Sequence, residues 1–213
     1  YLTFGQRNAL AAFQQLILLL TEGQLSVPDR EKHVKAIVGH YSEEKGAEFN
    51  EQVRNYLREH TKLMVVDYDV KIDLRHFESA DRNYGDIDVL AYDRESCVLY
   101  NIECKDTVMA KNIYQIYLEI RKYIGFNDDE KKNALIWKHY RRHEWLSEHK
   151  QEMANYLKVG KVKDVKSIVI TSTVLPVTYL KGNESPLPIV SYRDIVVEEG
   201  NMEVLCKTNP IWR

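Results

Sequence analysis

The stretch GDIDVLAYDRESCVLYNIECKD, residues 85–106, places acids and a lysine where strand residues are usually apolar. It reads as two strands, residues 86–105, joined by a turn near Arg94-Glu95-Ser96. Side chains alternate faces along a strand. Asp86, Asp88, Leu90 and Tyr92 therefore share one face, and Ile87, Val89 and Ala91 the other. On the second strand Glu103 and Lys105 share a face, opposite Ile102 and Cys104. A turn with an even number of residues sets Asp88 across from Glu103 or one pair away. Carboxylates at close range raise each other's pKa unless a cation lies between them. Mg²⁺, with Mn²⁺ as a substitute, fits because it is hard, takes oxygen ligands and keeps several waters. Asp88 and Glu103 then hold the metal, with the Cys104 backbone carbonyl as a further ligand. Lys105 orients and helps deprotonate the attacking water, or stabilises charge on a phosphate. In-line hydrolysis of a phosphodiester needs such a patch. Asp86 points the same way and is the alternative to Asp88, but is read first as a supporting or solvent residue.

The elements around this pair follow from periodicity. Residues 4–22 predict one helix closed by Gly23, and its run LAAFQQLILLL predicts a buried one. Ser26-Val27-Pro28-Asp29 predicts a second helix start, with an apolar stripe of Val34, Ile37, Val38 and Tyr41. Gly46 separates it from a third helix, in which Phe49, Val53, Tyr56 and Leu57 share a face. Residues 62–74 alternate and predict a strand, and residues 77–85 a loop. After the hairpin comes a helix with Ile113, Ile116, Ile120 and Ile124 facing the core. GFNDDEKKN is a break. A long basic helix or helix pair comes next, then the strand KSIVITST and a short last strand in LPIVSY.

Taken as a unit, GDIDVLA followed by an apolar strand ending IECK resembles the PD-(D/E)xK nuclease superfamily, over residues 46–173. The resemblance implies a restriction-endonuclease-like α/β core. Its order is helix, three strands, helix, strand, with a mixed central sheet flanked by helices. Here that core would carry extra N-terminal helices. It divides the chain into an N-terminal helical extension, 1–45, and a nuclease-like domain, 46–213, with a helical insertion at about 126–160. By the resemblance Asp88 is the metal-binding Asp, Glu103 the second ligand and Lys105 the catalytic Lys. The Pro often found before that Asp is replaced by Ile87. KGAEFNEQVRNYL resembles the family's opening helix, but Asn50 stands in its usual Glu position. Glu48 and Glu51 flank it, and either supplies the third acidic group. Glu51 is favoured by its spacing to Val53 and Leu57. Gln115 matches a Gln that several branches place on the next helix to touch DNA or the site. The implied activity is a Mg²⁺-dependent DNA endonuclease of restriction, phage defence or DNA processing. Its products carry a 5′-phosphate and a 3′-hydroxyl.

Bulk properties set limits on this reading. The 213 residues allow one sizeable core, and the net charge of −2 gives no global basic field. A nucleic-acid partner therefore needs local positive charge. WKHYRRHEW concentrates Lys138, His139, Arg141, Arg142 and His143; it reads equally as a phosphate-contacting patch or as a solvated helix face. His139 and His143 are four apart but lack HExxH context, which argues against zinc. Cys97, Cys104 and Cys206 form no CxxC pair and point to a reducing, cytoplasmic interior. The N-terminal apolar run is too short for a membrane span. Trp137 and Trp145 read as packing residues. DNA is the expected partner, and nothing in the sequence separates it from RNA. Family members often dimerise, so a homo-oligomer is compatible. The start at Tyr1 suggests a piece of a larger multidomain protein. The alternative is a degenerate nuclease fold that binds nucleic acid or serves in assembly without cutting.

Overall fold

The computed structural model describes residues 5–21, 31–181 and 184–207. The chain divides into two compact units, Tyr1–Glu48 and Phe49–Arg213. In the first, helix α1 spans Gln6–Thr21 and is followed by the start of α2, Lys32–His60. The expected helix start at 26–29 and the stop at Gly23 lie outside the described residues. Two expectations need correction here. Gly46 does not end a helix, because α2 runs straight through it. A single Gly costs only about 1 kcal/mol in a helix, and the apolar positions downstream sustain the element. Nor is α1 buried: Leu10, Phe13, Leu16 and Ile17 are all exposed.

The second unit is an α/β layered fold. The strand expected over 62–74 is two pieces, β1 (Met64–Val65) and β2 (Val70–Ile72), in different sheets. The first hairpin strand is also split. β3 (Gly85–Ile87) pairs with β2, whereas β4 (Val89–Asp93) pairs with β1 and with β5 (Val98–Lys105). The chain changes sheets at Asp88. Asp93 opposite Val98 leaves a four-residue turn, 94–97, an even number. β6 (Asp164–Thr171) and β7 (Ile189–Ser191) add in parallel, giving a mixed five-stranded sheet ordered β1-β4-β5-β6-β7.

Helices cover both faces, as a sheet with a long parallel crossover requires. Between β5 and β6 lie α3 (Ile113–Tyr123), α4 (Asp128–Asn133), α5 (Leu135–Glu148) and α6 (Lys150–Tyr156). The expected break at 125–133 thus contains a capped turn of helix, in which the Asn127 side chain accepts from the Glu130 amide. After β6 come α7 (Pro176–Lys181), α8 (Tyr192–Val197) and α9 (Met202–Leu205). On one face Phe49, Val53 and Leu57 of α2 pack with Val89, Ala91, Ile102, Cys104, Ile168 and Ile170. On the other, Trp145, Leu146 and Met153 pack with Leu90, Tyr92 and Leu99. Ile120 and Ile124 are buried as expected, but Ile113 is fully out in solvent at the first turn of α3.

Alternation along β5 sorts its side chains by chemistry. The odd-numbered face, turned toward α5, runs Leu99, Asn101, Glu103, Lys105 from apolar to charged. The even-numbered face stays apolar from Val98 to Cys104.

Candidate active site

Val89 lies opposite Ile102, so the next pair outward is Asp88 and Glu103. Lys105 comes next on the same face at the end of β5. Its Nζ lies 2.8 Å from Glu103 Oε1 and 3.4 Å from Asp88 Oδ2. The Cys104 N–H donates to Asp88 Oδ2 at 2.8 Å. Cys104 therefore touches the cluster through its amide; the carbonyl role rests on the sequence alone. The side chains of Asp88 and Glu103 are only 15% and 10% exposed, so their charges interact through little water.

Three further side chains complete the cluster: Arg142 and His139, read in the sequence as part of a basic patch, and Arg54, which was missed. Arg142 of α5 donates from Nη1 to Glu103 Oε2 at 2.8 Å and from Nε to the Tyr84 carbonyl at 3.2 Å. His139, one turn earlier, is buried with Nδ1 3.7 Å from Glu103 Oε2. The expectation of a solvated helix face fails for these two residues, which are buried. They lie three apart on the stripe of Ile136, Trp145 and Leu146 and so face the sheet. That spacing was a legible signal: a His and an Arg on the apolar face of an amphipathic helix. Arg54 of α2 is the third. It is buried, and donates to Glu51 Oε2 at 2.8 Å, Asp69 Oδ1 at 2.7 Å and the Asp88 carbonyl at 2.6 Å. It fastens the backbone where the chain changes sheets.

Glu51, Gln115 and Asp86 make other contacts. Glu51 is engaged by Arg54 and, at 3.8 Å, by Arg58. Its link to Asp88 runs through the Arg54 guanidinium, not by direct approach. Glu48 belongs to the first unit and is exposed. Gln115 accepts from the Lys111 amide at 2.6 Å, a local contact at the start of α3. Asp86 is exposed, 4.0 Å from the Lys71 ammonium. His143 Nδ1 lies 3.0 Å from Ser167 Oγ, which also accepts from Asn101 Nδ2 at 2.8 Å. This is a polar ladder behind the charged cluster, buried at Asn101 and Ser167. The three cysteines are unpaired.

The environment pushes the two carboxyls apart. Burial, then the Glu103 charge, raises Asp88 to about 6, against the opposing pull of Lys105, the Cys104 amide and Arg142. Burial raises Glu103 too, but Lys105, Arg142 and His139 outweigh it and hold Glu103 near 2. Such a pair titrates as a unit, one proton leaving early and one late. Burial works against the Lys105 charge, yet Glu103 and Asp88 win and raise its pKa, so it stays an ammonium. Burial drops His139 to about 3, with Arg142 adding to the effect, so its contact with Glu103 is that of a neutral imidazole.

Asp88 and Glu103 offer the hard oxygen donors that suit Mg²⁺ or Mn²⁺. Two adjacent, largely dry carboxylates fit an ion that keeps most of its water. Among the described residues no group of three or more His, Cys, Asp or Glu is placed to hold a metal. The fit is therefore to a two-carboxylate site, not to a closed protein cage.

Gly85 sets the entry into this region. Its φ is +86°, and a Cβ there would meet Arg142 Nη2 at 3.0 Å. Gly85→Ala is expected to cost about 1–3 kcal/mol from backbone strain, with further loss from displacing the guanidinium. A denaturant midpoint equal to that of the wild type would show that Arg142 is not held by this approach.

Among the described residues no helix is long and apolar enough to cross a membrane. No curated protein and no solved structure matches the chain. A family model of Upx-like anti-phage proteins matches residues 31–185, a span that contains every residue of the charged cluster. Since that span is well over half of the sequence, the chain belongs to the Upx-like family of anti-phage proteins.

Proposed function

We propose that the chain is a Mg²⁺-dependent DNA endonuclease of the PD-(D/E)xK type, with a restriction-endonuclease-like core, acting in phage defence. One observation carries the reading. Asp88 and Glu103 meet across adjacent strands, with the Lys105 ammonium within 3.4 Å of both. The order of α2, β1, β4, β5, α3 and β6, and the anti-phage family, support it.

A bound divalent ion would supply charge stabilisation on the phosphate and a more acidic water. Asp88 and Glu103 would hold it. The chain's own residues do the rest. Lys105, kept as an ammonium, stabilises the extra negative charge on the phosphate oxygens and orients the attacking water. Remaining protonated, it is a charge donor and not a general base. The water oxygen bonds to phosphorus and releases a proton to solvent, the P–O3′ bond breaks, and the 3′-oxygen leaves and takes up a proton from solvent, so one water is consumed. Arg142 fixes the Glu103 carboxylate through one oxygen and leaves the other facing Lys105. Arg54 fixes the Asp88 backbone.

A second reading is a degenerate nuclease fold that binds nucleic acid without cutting it. It is favoured by the salt bridges of Glu103 to both Lys105 and Arg142, and by the absence of Glu51 from the pair. The two readings part in one assay: supercoiled plasmid, linear duplex and single-stranded DNA with Mg²⁺, Mn²⁺ or EDTA. Cutting that needs metal and falls by about 10²-fold or more in Lys105→Ala is expected. No cutting by the wild type, with no Mg²⁺ binding by calorimetry, would leave the degenerate fold.

A further inference from the structure

A cleft of about 420 Å³ opens beside the charged cluster, between the loop before β3 and the exposed edge of α5. Arg82, Asn83, Tyr84, Gly85, Lys138, Arg141 and Arg142 line it. The cleft shares Arg142 with the Asp88–Glu103–Lys105 cluster. Arg142 uses Nε on the Tyr84 carbonyl and Nη1 on Glu103. Its Nη2 faces Gly85, where no side chain stands in the way.

The walls are preorganised. The Arg82 guanidinium lies 4.8 Å from the centre of the Tyr84 ring, and the Tyr84 hydroxyl donates to Asp81 Oδ1 at 2.7 Å. The Gly85 amide donates to Asn83 Oδ1 at 2.7 Å. Arg141 donates to the Lys132 carbonyl at 3.1 Å, which fixes its planar head without neutralising it. Among the described residues, Arg82, Lys138 and Arg141 have no carboxylate ion-pair partner. In a chain of net charge −2, three such cations on one cleft make a local field of the opposite sign. The cleft is open, and Arg82, Lys138, Arg141 and Arg142 make most of its lining residues cationic. Sites for small ligands are usually enclosed, so this shape suits a polyanion that runs past the surface.

We propose that this cleft binds the DNA phosphate backbone next to the reacting phosphodiester, through Arg82, Lys138 and Arg141 on its walls and Arg142 at its floor. The proposal rests on the nuclease reading for what lies beside the cleft, but its binding chemistry does not require cutting. Backbone contacts of this kind position a duplex without reading its sequence.

The test is fluorescence anisotropy of a labelled DNA duplex with the full chain in EDTA, which keeps the probe uncut, over a salt series. The variants are Arg82→Ala/Lys138→Ala/Arg141→Ala together, Lys138→Glu alone, and Lys62→Ala. Lys62 is 91% exposed, pairs with Glu95 and lies outside the cleft, so it controls for loss of charge alone. The triple variant is expected to bind roughly ten-fold or more weakly, and its salt slope to fall by about 0.9 for each phosphate it no longer neutralises. Lys62→Ala should bind as the wild type does. Lys138→Glu, a single surface change, should weaken binding even if the triple variant folds poorly. Parallel cleavage assays with Mg²⁺ separate the two claims. Binding through the cleft without cutting would retain the proposal and remove the nuclease. Cutting and binding unaffected by the cleft variants would overturn the proposal and retain the nuclease. No binding of DNA by the wild type, or equal losses in Lys62→Ala, would also overturn it.

Discussion

Asp88→Asn is expected to abolish the metal-dependent cleavage proposed for this chain and at the same time to make the metal-free protein more stable at neutral pH. The gain follows from the raised pKa. Asp88 moves from 3.8 to about 6 on folding, because burial and the neighbouring Glu103 disfavour its charge. At roughly 1.4 kcal/mol per unit, the charged form costs up to about 3 kcal/mol above that range. An amide of the same shape carries no such cost and can still accept from the Cys104 N–H. It does lose the attraction of Lys105, so the net gain is set at about 1–3 kcal/mol.

The pH dependence has a fixed sign. The folded state holds the Asp88 proton more tightly than the unfolded one. The stability contributed by Asp88 is therefore fully present below pH 3.8 and is lost as pH rises through about 6. Glu103 runs the other way. Its folded pKa is depressed from 4.5 to about 2, so its contribution is present above pH 4.5 and lost as pH falls through about 2. Denaturant unfolding of wild type and Asp88→Asn across these windows gives the check. The difference should be small at the acid end and grow through pH 6. Added Mg²⁺ should then stabilise the wild type and not the variant. An Asp88→Asn protein less stable than wild type at neutral pH would mean that Lys105 outweighs burial at this carboxyl.

The facing carboxylates were legible because they rest on period-two alternation and an even turn, both local properties. With Val89 opposite Ile102, Asp88 and Glu103 had to meet. The break at Asp88 was not legible. Ile87 and Val89 are both buried apolar residues, and nothing in their types says that they belong to different sheets. The tie that fixes the break, Arg54 to Asp69 and the Asp88 carbonyl, joins positions far apart in sequence. The surroundings of the helix-borne acid were illegible for a related reason. Glu51 has the spacing, but Arg54 one turn on captures it, and a motif does not report its competitors. Ile113 shows the limit of periodicity: it fits the stripe, yet it sits at the first turn of α3, out in solvent.

Removing Arg142 is expected to have the largest effect on folding. Its side chain is 8% exposed and joins α5 to the ends of β3 and β5 through Tyr84 and Glu103. Arg142→Ala leaves the Glu103 carboxylate buried with Lys105 as its remaining strong partner, and deprives the Tyr84 carbonyl of its donor. Losing one member of a buried pair costs about 3–5 kcal/mol, and the retained Lys105 ion pair places this case near the lower end. Arg142→Lys should recover little. A lysine is a point charge and cannot donate to a carbonyl and a carboxylate in the fixed directions that a planar guanidinium spans. Pairing Arg142→Met with Glu103→Gln should recover part of the stability, because no uncompensated charge is then buried. A double-mutant cycle read by denaturant unfolding should give a coupling of about 1–3 kcal/mol. A coupling near zero would mean that Arg142 holds the Tyr84–Gly85 backbone and not the Glu103 charge. The same cycle bears on function, since the residue that makes Glu103 tolerable in a dry site also occupies one of its two oxygens. A nuclease needs that balance to leave the second oxygen exchangeable. In the proposed nuclease, Glu103 would meet the requirement through its Oε1, held by the Lys105 ammonium alone at 2.8 Å.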